Sequence, residues 1–474
     1  MTASGLSALP PRKMTPGISS FSCQDISVSV FSARLRQAAN GRRCWSRLIA
    51  PSIRGSQGGS PLQYRQLGDS DLRISEITMG TMTYGQQNTE KEAHELLSYA
   101  FDQGINIIDT SEAYPIPMKK ETHGRTDLYI GSWMKSRSRD QVILATKVCG
   151  YSKQAGYIRD NAEILRVDAT NIRESVEKSL KRLSTDYIDL LQIHWPDRYV
   201  PLFGEFTYNY NKWRQSVPFS EQLSAFQDLI TQGKVRYIGV SNETSFGVLE
   251  FVHSAKVLGL PKIISIQNSY SLLSRCRFEV DLVEVCHHNN YNVGLLAYSP
   301  LGGGNLSGKY LDLDSEAAKM GRLNLFPGYM ERYRNSLSQE VTKLYSELAK
   351  KHGLTLVQLA LGFVRDRPFV TSSIIGATSL DQLKEDIDVF LSAVRPLPIE
   401  VSDDVENIFK RYKDPSIFHP DDPRPTHAQP APTPSHRESR TGARPHGLLT
   451  DPRPTHAGKP ADARPPTPTP DREP

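Results

Sequence analysis

GINIIDTSEAYP, residues 104–115, leaves a glycine, runs through a short apolar and β-branched stretch, stops on Asp109 and places Tyr114 one short turn later. Two further stretches are built the same way. VILATK (142–147) closes on Lys147, and YIDLLQIH (187–194) closes on His194. In a parallel α/β barrel every strand ends on one face, so polar side chains at successive strand ends converge there.

Working outward from these runs, strand-like segments recur at 77–80, 105–109, 142–147, 187–194, 235–241, 263–268, 293–299 and 372–376. Amphipathic helical patterns separate them at 90–103, 125–135, 170–183, 220–232, 244–258, 279–288 and 379–391. Eight alternating β/α units predict an α/β fold, a closed (β/α)8 TIM barrel. A doubly wound open sheet would bring a Gly-rich fingerprint after its first strand, and GxGxxG is missing there. Residues 64–74 are expected to form a hairpin closing the bottom of the barrel.

The barrel is expected to occupy residues 61–414, between two segments of different composition. Residues 1–60 carry eight Arg or Lys, many serines and Asp25 as the only acid. Basic, serine-rich and acid-poor is the composition of an organelle transit peptide. The serine content, without a strong amphipathic Arg helix, favours the chloroplast, with mitochondrion and cytoplasm as alternatives. From 415 to 474 the chain is rich in Pro, Arg, His and Thr and repeats DPRPTHA at 422–428 and 451–457. Such a segment buries too little apolar surface to offset its ordering entropy, and a disordered tail is expected.

Gross numbers narrow the class. The 474 residues are 38% hydrophobic and 23% charged, ordinary values for a globular enzyme. No apolar stretch approaches the ~20 residues that span a bilayer, so no membrane partner is expected. The net charge of +5 sits largely in the two ends. No basic-aromatic stripe in the centre points to nucleic acid. Cys149, Cys276 and Cys286, without CxxC spacing, argue against a disulfide framework and against a zinc site; no metal is expected.

The four strand-end residues make a chemically coherent set. A tyrosine phenol, with pKa ~10, is a poor acid at neutral pH. A nearby ammonium favours the phenolate, so Lys147 is expected to lower the pKa of Tyr114, with Asp109 holding Lys147 charged. His194 is placed to polarise a carbonyl oxygen and orient it toward Tyr114. Each residue alone has a plainer reading, as cap, packing or solvated side chain. Their joint placement carries the inference.

GINIIDTSEAYP, VILATKV (142–148), LKRLSTDYIDLLQIHWPD (180–197), GKVRYIGVSNET (233–244), IQNSYSLL (266–273), LAYSPLGGGNLSGKY (296–310) and IIGATSLDQLKEDI (374–387) stand in the order of blocks in a known family. The chain resembles an aldo-keto reductase across residues 61–413. Within that family it is most similar to the bacterial Tas-type proteins, sharing GTMTYGQQN (80–88) and RYIGVSNETSFGV (236–248), and more distantly to potassium-channel β subunits. The resemblance implies NADPH-dependent reduction of a small aldehyde or ketone, with Tyr114 as acid supported by Asp109, Lys147 and His194. The alternative is an NADPH-binding regulatory or sensor subunit with negligible turnover, which the complete set of four disfavours but which channel β subunits, keeping the same set, leave open.

The resemblance also implies the NADPH/NADP+ contacts. Thr81, Met82 and Asp109 stand at the first strand ends, and Ser241, Asn242 and Gln267 match the carboxamide contacts. Tyr298 is expected to stack on the nicotinamide, followed by Ser299, Pro300, Leu301 and Gly302. GGGNLSGK (302–309) matches most of a P-loop, but Tyr310 stands where magnesium needs Ser or Thr. It reads instead as a phosphate-approaching loop in which Lys309 supplies charge. Gly376, Thr378, Gln382, Glu385 and Asp386 match the adenosine-phosphate side, at a helix N-terminus that favours anions. Asp386 departs from the family's usual Asn. With no arginine in 376–386, Arg322 is the expected 2′-phosphate contact, and NADPH over NADH rests on the resemblance. The aromatics Trp195, Phe203, Phe206, Tyr208, Tyr210 and Trp213 are expected either to line an apolar substrate pocket or to pack their loop on itself. Oligomeric state is left open.

Overall fold

The computed structural model describes residues 61–417, apart from Asn161 and Phe206. The expected transit peptide and residues 418–474 of the Pro-rich segment lie outside the described residues.

Two short strands, β1 (Tyr64–Gln66) and β2 (Arg73–Ser75), form an antiparallel hairpin. Eight parallel strands follow: β3 (Ile77–Gly80), β4 (Ile107–Asp109), β5 (Ile143–Val148), β6 (Ile188–Ile193), β7 (Val235–Ser241), β8 (Ile263–Ser269), β9 (Gly294–Tyr298) and β10 (Val370–Ile375). They close in chain order, β10 pairing with both β3 and β9, so the expected (β/α)8 barrel is the observed one. Its interior is filled at the strand starts by Ile107, Ile143, Ala145, Leu190 and Leu296, packed on Leu67, Leu72 and Ile74 of the hairpin. The hairpin therefore plugs the bottom, as expected, and leaves the strand ends open.

Around the barrel run α1 (Glu90–Asp102), α2 (Arg125–Met134), α3 (Ala169–Leu183), α4 (Phe219–Thr231) and α5 (Ser245–Leu258). Short α6 (Cys276–Glu279), α7 (Leu282–Cys286), α8 (Glu316–Lys319) and α9 (Arg322–Leu325) precede the long α10 (Ser336–Lys351), α11 (Leu356–Arg365), α12 (Leu380–Leu391) and α13 (Ile399–Arg411). Local sequence explains the starts. Thr89 and Glu92 form a capping box at α1, and Asp168 accepts from the Asn171 amide at α3. In α3, Ile172, Val176, Leu180 and Leu183 recur at helical spacing and face the barrel.

Two expectations need correction. The single helix over 279–288 is two short turns, because Asp281 leaves helical geometry (φ −136°) and Val280 between them faces solvent. The stretch between β9 and β10, left without helices above, holds α8 to α11. The inward face of α10 mixes Ser338 and Thr342 with Val341, Tyr345 and Leu348, which dilutes its apolar period. The packed chain continues to Ser416: the Pro415 carbonyl accepts from Asn335 Nδ2 and Ser338 Oγ, both 2.9 Å.

Candidate active site

Side chains alternate across a strand, so β4, β5 and β6 each turn one polar residue inward above the apolar plug. On β4, Ile107 faces the plug and Asp109 lies above it; on β5, Ala145 is followed by Lys147. On β6, Leu190 is followed by Gln192 and then by His194 just past the strand. This single periodicity brings the group together.

Lys147 Nζ, fully buried, donates to Asp109 Oδ2 at 2.6 Å, to the Thr110 carbonyl at 2.9 Å and to Tyr114 Oη at 3.4 Å. Gln267 Nε2 donates to the other oxygen, Asp109 Oδ1, at 2.8 Å. Thr81 Oγ1 donates to the Asp109 carbonyl at 2.8 Å. His194 stands edge-on to Tyr114, with ring centroids 5.7 Å apart. Its carbonyl accepts from Asn242 Nδ2 at 2.8 Å, and Tyr298 Oη donates to Asn242 Oδ1 at 2.6 Å.

The loop that carries Tyr114 is tied down residue by residue. Thr110 donates to Asp127, which also binds Arg182. Ser111 Oγ lies 3.0 Å from His194 Nδ1. The buried Glu112 carboxylate takes Arg159 in a bidentate pair, 2.6 and 2.9 Å, and the Cys149 amide at 2.7 Å. Cys149 is wholly buried, and burial and Glu112 push its thiol well above the ordinary value, as for a packed, unreactive cysteine.

The electrostatics correct one expectation. Burial raises Tyr114 well above the ordinary phenol value, with Asp109, Tyr329 and Tyr298 adding in the same direction. Lys147 does not reverse this, because burial lowers its own pKa and Asp109 offsets its charge. Tyr114 therefore keeps its proton at neutral pH. Burial, then Lys147, holds His194 well below its ordinary value, so its ring is neutral.

These residues open into one cleft of about 840 Å³ at the strand ends. Of the expected cofactor contacts, Thr81, Met82, Asp109, Ser241, Asn242, Gln267, Tyr298, Ser299, Pro300, Leu301, Lys309, Arg322, Gly376, Thr378, Gln382, Glu385 and Asp386 all line it. Gly302 does not; it is buried behind Gly303 and Gly304, which do. Lys147 also lies behind the wall, beneath Tyr114. Gln382 Oε1 accepts from the Thr378 amide and hydroxyl, and the Asp386 carboxyl is pushed up to about 8 by burial and by Glu385. The aromatic loop divides: Trp195 and Phe203 line the cleft, whereas Tyr208, Tyr210 and Trp213 face solvent, Tyr208 against Tyr199 and Tyr210. Phe206 lies outside the described residues.

Gln192, Ser111, Tyr329 and Arg332 were not singled out above. Gln192 was findable, since it alternates with Leu190 and His194 on one strand face. Tyr329 and Arg332 sit in irregular chain between β9 and β10, where no periodicity marks them.

A profile of the Aldo/keto reductase family matches residues 76–409. Protein Tas of Escherichia coli is 44% identical over 347 residues, covering 73% of this chain and 95% of that protein. The uncharacterized oxidoreductase YrpG of Bacillus subtilis is 30% identical over 69% of this chain and 90% of its own length. A putative voltage-gated potassium channel subunit beta of Schizosaccharomyces pombe is 29% identical, covering 73% of this chain and 93% of that protein.

Proposed function

The chain belongs to the aldo/keto reductase family, an oxidoreductase family, and from that premise we propose that it reduces an aldehyde or ketone with NADPH, using Tyr114 as proton donor. The observation that carries this reading is Lys147 Nζ standing between the Asp109 carboxylate and the Tyr114 hydroxyl at the open end of the barrel.

The cleft wall is suited to an anionic dinucleotide. Lys309 and Arg322 line it without an ion pair to any carboxylate among the described residues. Gly303 and Gly304 have φ of +67° and +99°, and a Cβ on Gly304 would sit 3.0 Å from Lys309 Cε. Backbone amides can thus approach phosphate closely there. Lys309, Arg322, Thr378 and Gln382 would hold the phosphate end, and Ser241, Asn242, Gln267 and Tyr298 the nicotinamide end. When bound, the cofactor supplies hydride to the carbonyl carbon.

The chain's own residues then do the rest. Tyr114, protonated at neutral pH, gives its proton to the developing alkoxide. Lys147, fixed by Asp109, stabilises the phenolate left behind. Neutral His194 donates a hydrogen bond to the carbonyl oxygen. Trp195, Phe203 and Tyr329 give the cleft wall an aromatic surface for the substrate.

A second reading, an NADPH-binding regulatory subunit with negligible turnover, has support in the relative named as a channel subunit. One experiment separates them: NADPH oxidation by the full chain against a panel of small aldehydes and ketones, with NADPH binding followed by fluorescence in parallel. For the reductase, Tyr114→Phe is expected to lower kcat by about 10²- to 10⁴-fold while binding survives. Binding without turnover on any carbonyl would favour the sensor. Absence of binding would overturn both readings.

A further inference from the structure

One buried cation in the cleft is used by none of the chemistry above. Arg332 is 7% exposed and lines the cleft. Its guanidinium lies 4.7 Å from the Tyr333 ring centroid and 6.0 Å from that of Phe203. Among the described residues it makes no ion pair. The groups that act on it most are tyrosines: Tyr333, whose hydroxyl also accepts a hydrogen bond from it, Tyr298 and Tyr329. Glu331, its neighbour in the chain, accepts from the Gly328 amide. Arg277, a guanidinium on which Arg332 acts electrostatically, donates to the carbonyls of Pro201 and Glu205.

A guanidinium carries five donors in a planar fork that matches a carboxylate, and burying it without a counter-ion is costly. Charges in protein interiors are normally paired. The missing partner is therefore expected to arrive with a ligand. Position says which ligand. Lys309 lies toward Glu385 and Asp386, and Arg322 stands between that side and Tyr329, its Nη1 and the Tyr329 hydroxyl both reaching Met82 Sδ. Arg332 stands near Phe203 of the loop after β6, and Tyr298 and Tyr329 act electrostatically on both Arg332 and Tyr114. Tyr114, Tyr298, Tyr329 and Arg332 line the same cleft, so one molecule held there can meet Tyr114 at one end and Arg332 at the other.

We propose that Arg332 receives a carboxylate on the substrate, so that the chain prefers carbonyl compounds bearing an acid group at the end remote from the reacting carbon. The proposal deepens the reductase reading and rests on it. The two rings beside Arg332 suit a flat or short spacer between the carbonyl and the acid.

The test compares 4-carboxybenzaldehyde with its neutral methyl ester, methyl 4-formylbenzoate, in the full chain and in Arg332→Met and Arg332→Lys. The wild-type chain is expected to favour the acid in kcat/KM by about 10-fold or more, the size of a desolvated charge pair. Arg332→Met is expected to bring that ratio close to one through KM for the acid, and Arg332→Lys to retain part of it. Circular dichroism and NADPH titration of each variant verify folding and cofactor binding. Equal use of acid and ester by the wild type would overturn the proposal, as would a preference that survives in Arg332→Met. A fall in NADPH affinity with the preference intact would assign Arg332 to the cofactor instead. If neither aldehyde turns over and the wider carbonyl panel is also inert, the reductase reading fails separately. Benzoate titrated into the NADPH-loaded chain then decides: binding lost in Arg332→Met supports the anion site, and no binding overturns it.

Discussion

Ser111 Oγ lies 3.0 Å from His194 Nδ1 and at the same time accepts the Ala113 amide at 3.1 Å. With one lone pair so engaged, the arrangement that satisfies every atom has the Ser111 hydroxyl donating to Nδ1. The neutral ring then carries its proton on Nε2, as a donor toward the cleft. Ser111 is thus a positioning residue for His194. In Ser111→Ala the preference for that tautomer is expected to weaken and kcat to fall by about 10-fold with a smaller change in KM. Nitrogen NMR of His194 reads the tautomer directly, and a protonated Nδ1 in the wild-type chain would contradict the assignment.

Glu112 and Arg159 form a buried bidentate pair two residues from Tyr114. Removing one member leaves the other charged and unpaired in a dry site, a cost of about 3–5 kcal/mol. Glu112→Gln is therefore expected to lower the thermal midpoint markedly. Denaturant titration measures it, and a loss below about 1 kcal/mol would mean that water replaces the lost contact.

Asp386 changes stability with pH in a direction set by its raised pKa. The folded chain holds the proton up to about pH 8, whereas the unfolded chain releases it near the ordinary 3.8. Between these values the native state binds more protons, so stability falls as pH rises. Lys309 opposes and Glu385 reinforces the shift. Asp386→Asn is expected to raise the thermal midpoint at pH 8 and to change it little at pH 4. Equal midpoint changes at both values would show that Asp386 ionises normally.

Gly150 has no space for a side chain. A Cβ there would meet the Trp195 carbonyl at 1.8 Å and its ring at 2.4 Å. Gly150→Ala must displace Trp195, which borders His194 with ring centroids 4.8 Å apart. Loss of folded protein, or a folded variant with a shifted Trp195 fluorescence and weakened substrate binding, is expected. An unaltered spectrum and KM would refute the close contact.

Much of the site was legible because strand periodicity and chemistry coincide. Asp109, Lys147 and His194 each end an apolar run, so the fold that gathers them and the residues gathered are read from the same stretches. The later helices α10 and α11 were not read. The inward face of α10 includes the polar Ser338 and Thr342: Ser338 Oγ bonds the carbonyls of Arg332 and Pro415, and Thr342 Oγ1 accepts from Asn305 Nδ2 while donating to the Ser338 carbonyl one turn back.

Local sequence by itself determined the eight-fold alternation and the polar residues at the strand ends, since each depends on spacing within a dozen residues. Tertiary structure alone decided the protonation states and the setting of Arg332. The expected lowering of Tyr114 by Lys147 was a pairwise argument. It failed because burial acts on both partners and Asp109 engages the ammonium from the other side. Arg332 lies in the single 3-10 turn Glu331–Tyr333, and its placement beside Phe203 and Tyr298 depends on residues far away in the chain. Desolvation and long-range neighbours are properties of the packed barrel, which no run of adjacent residues encodes.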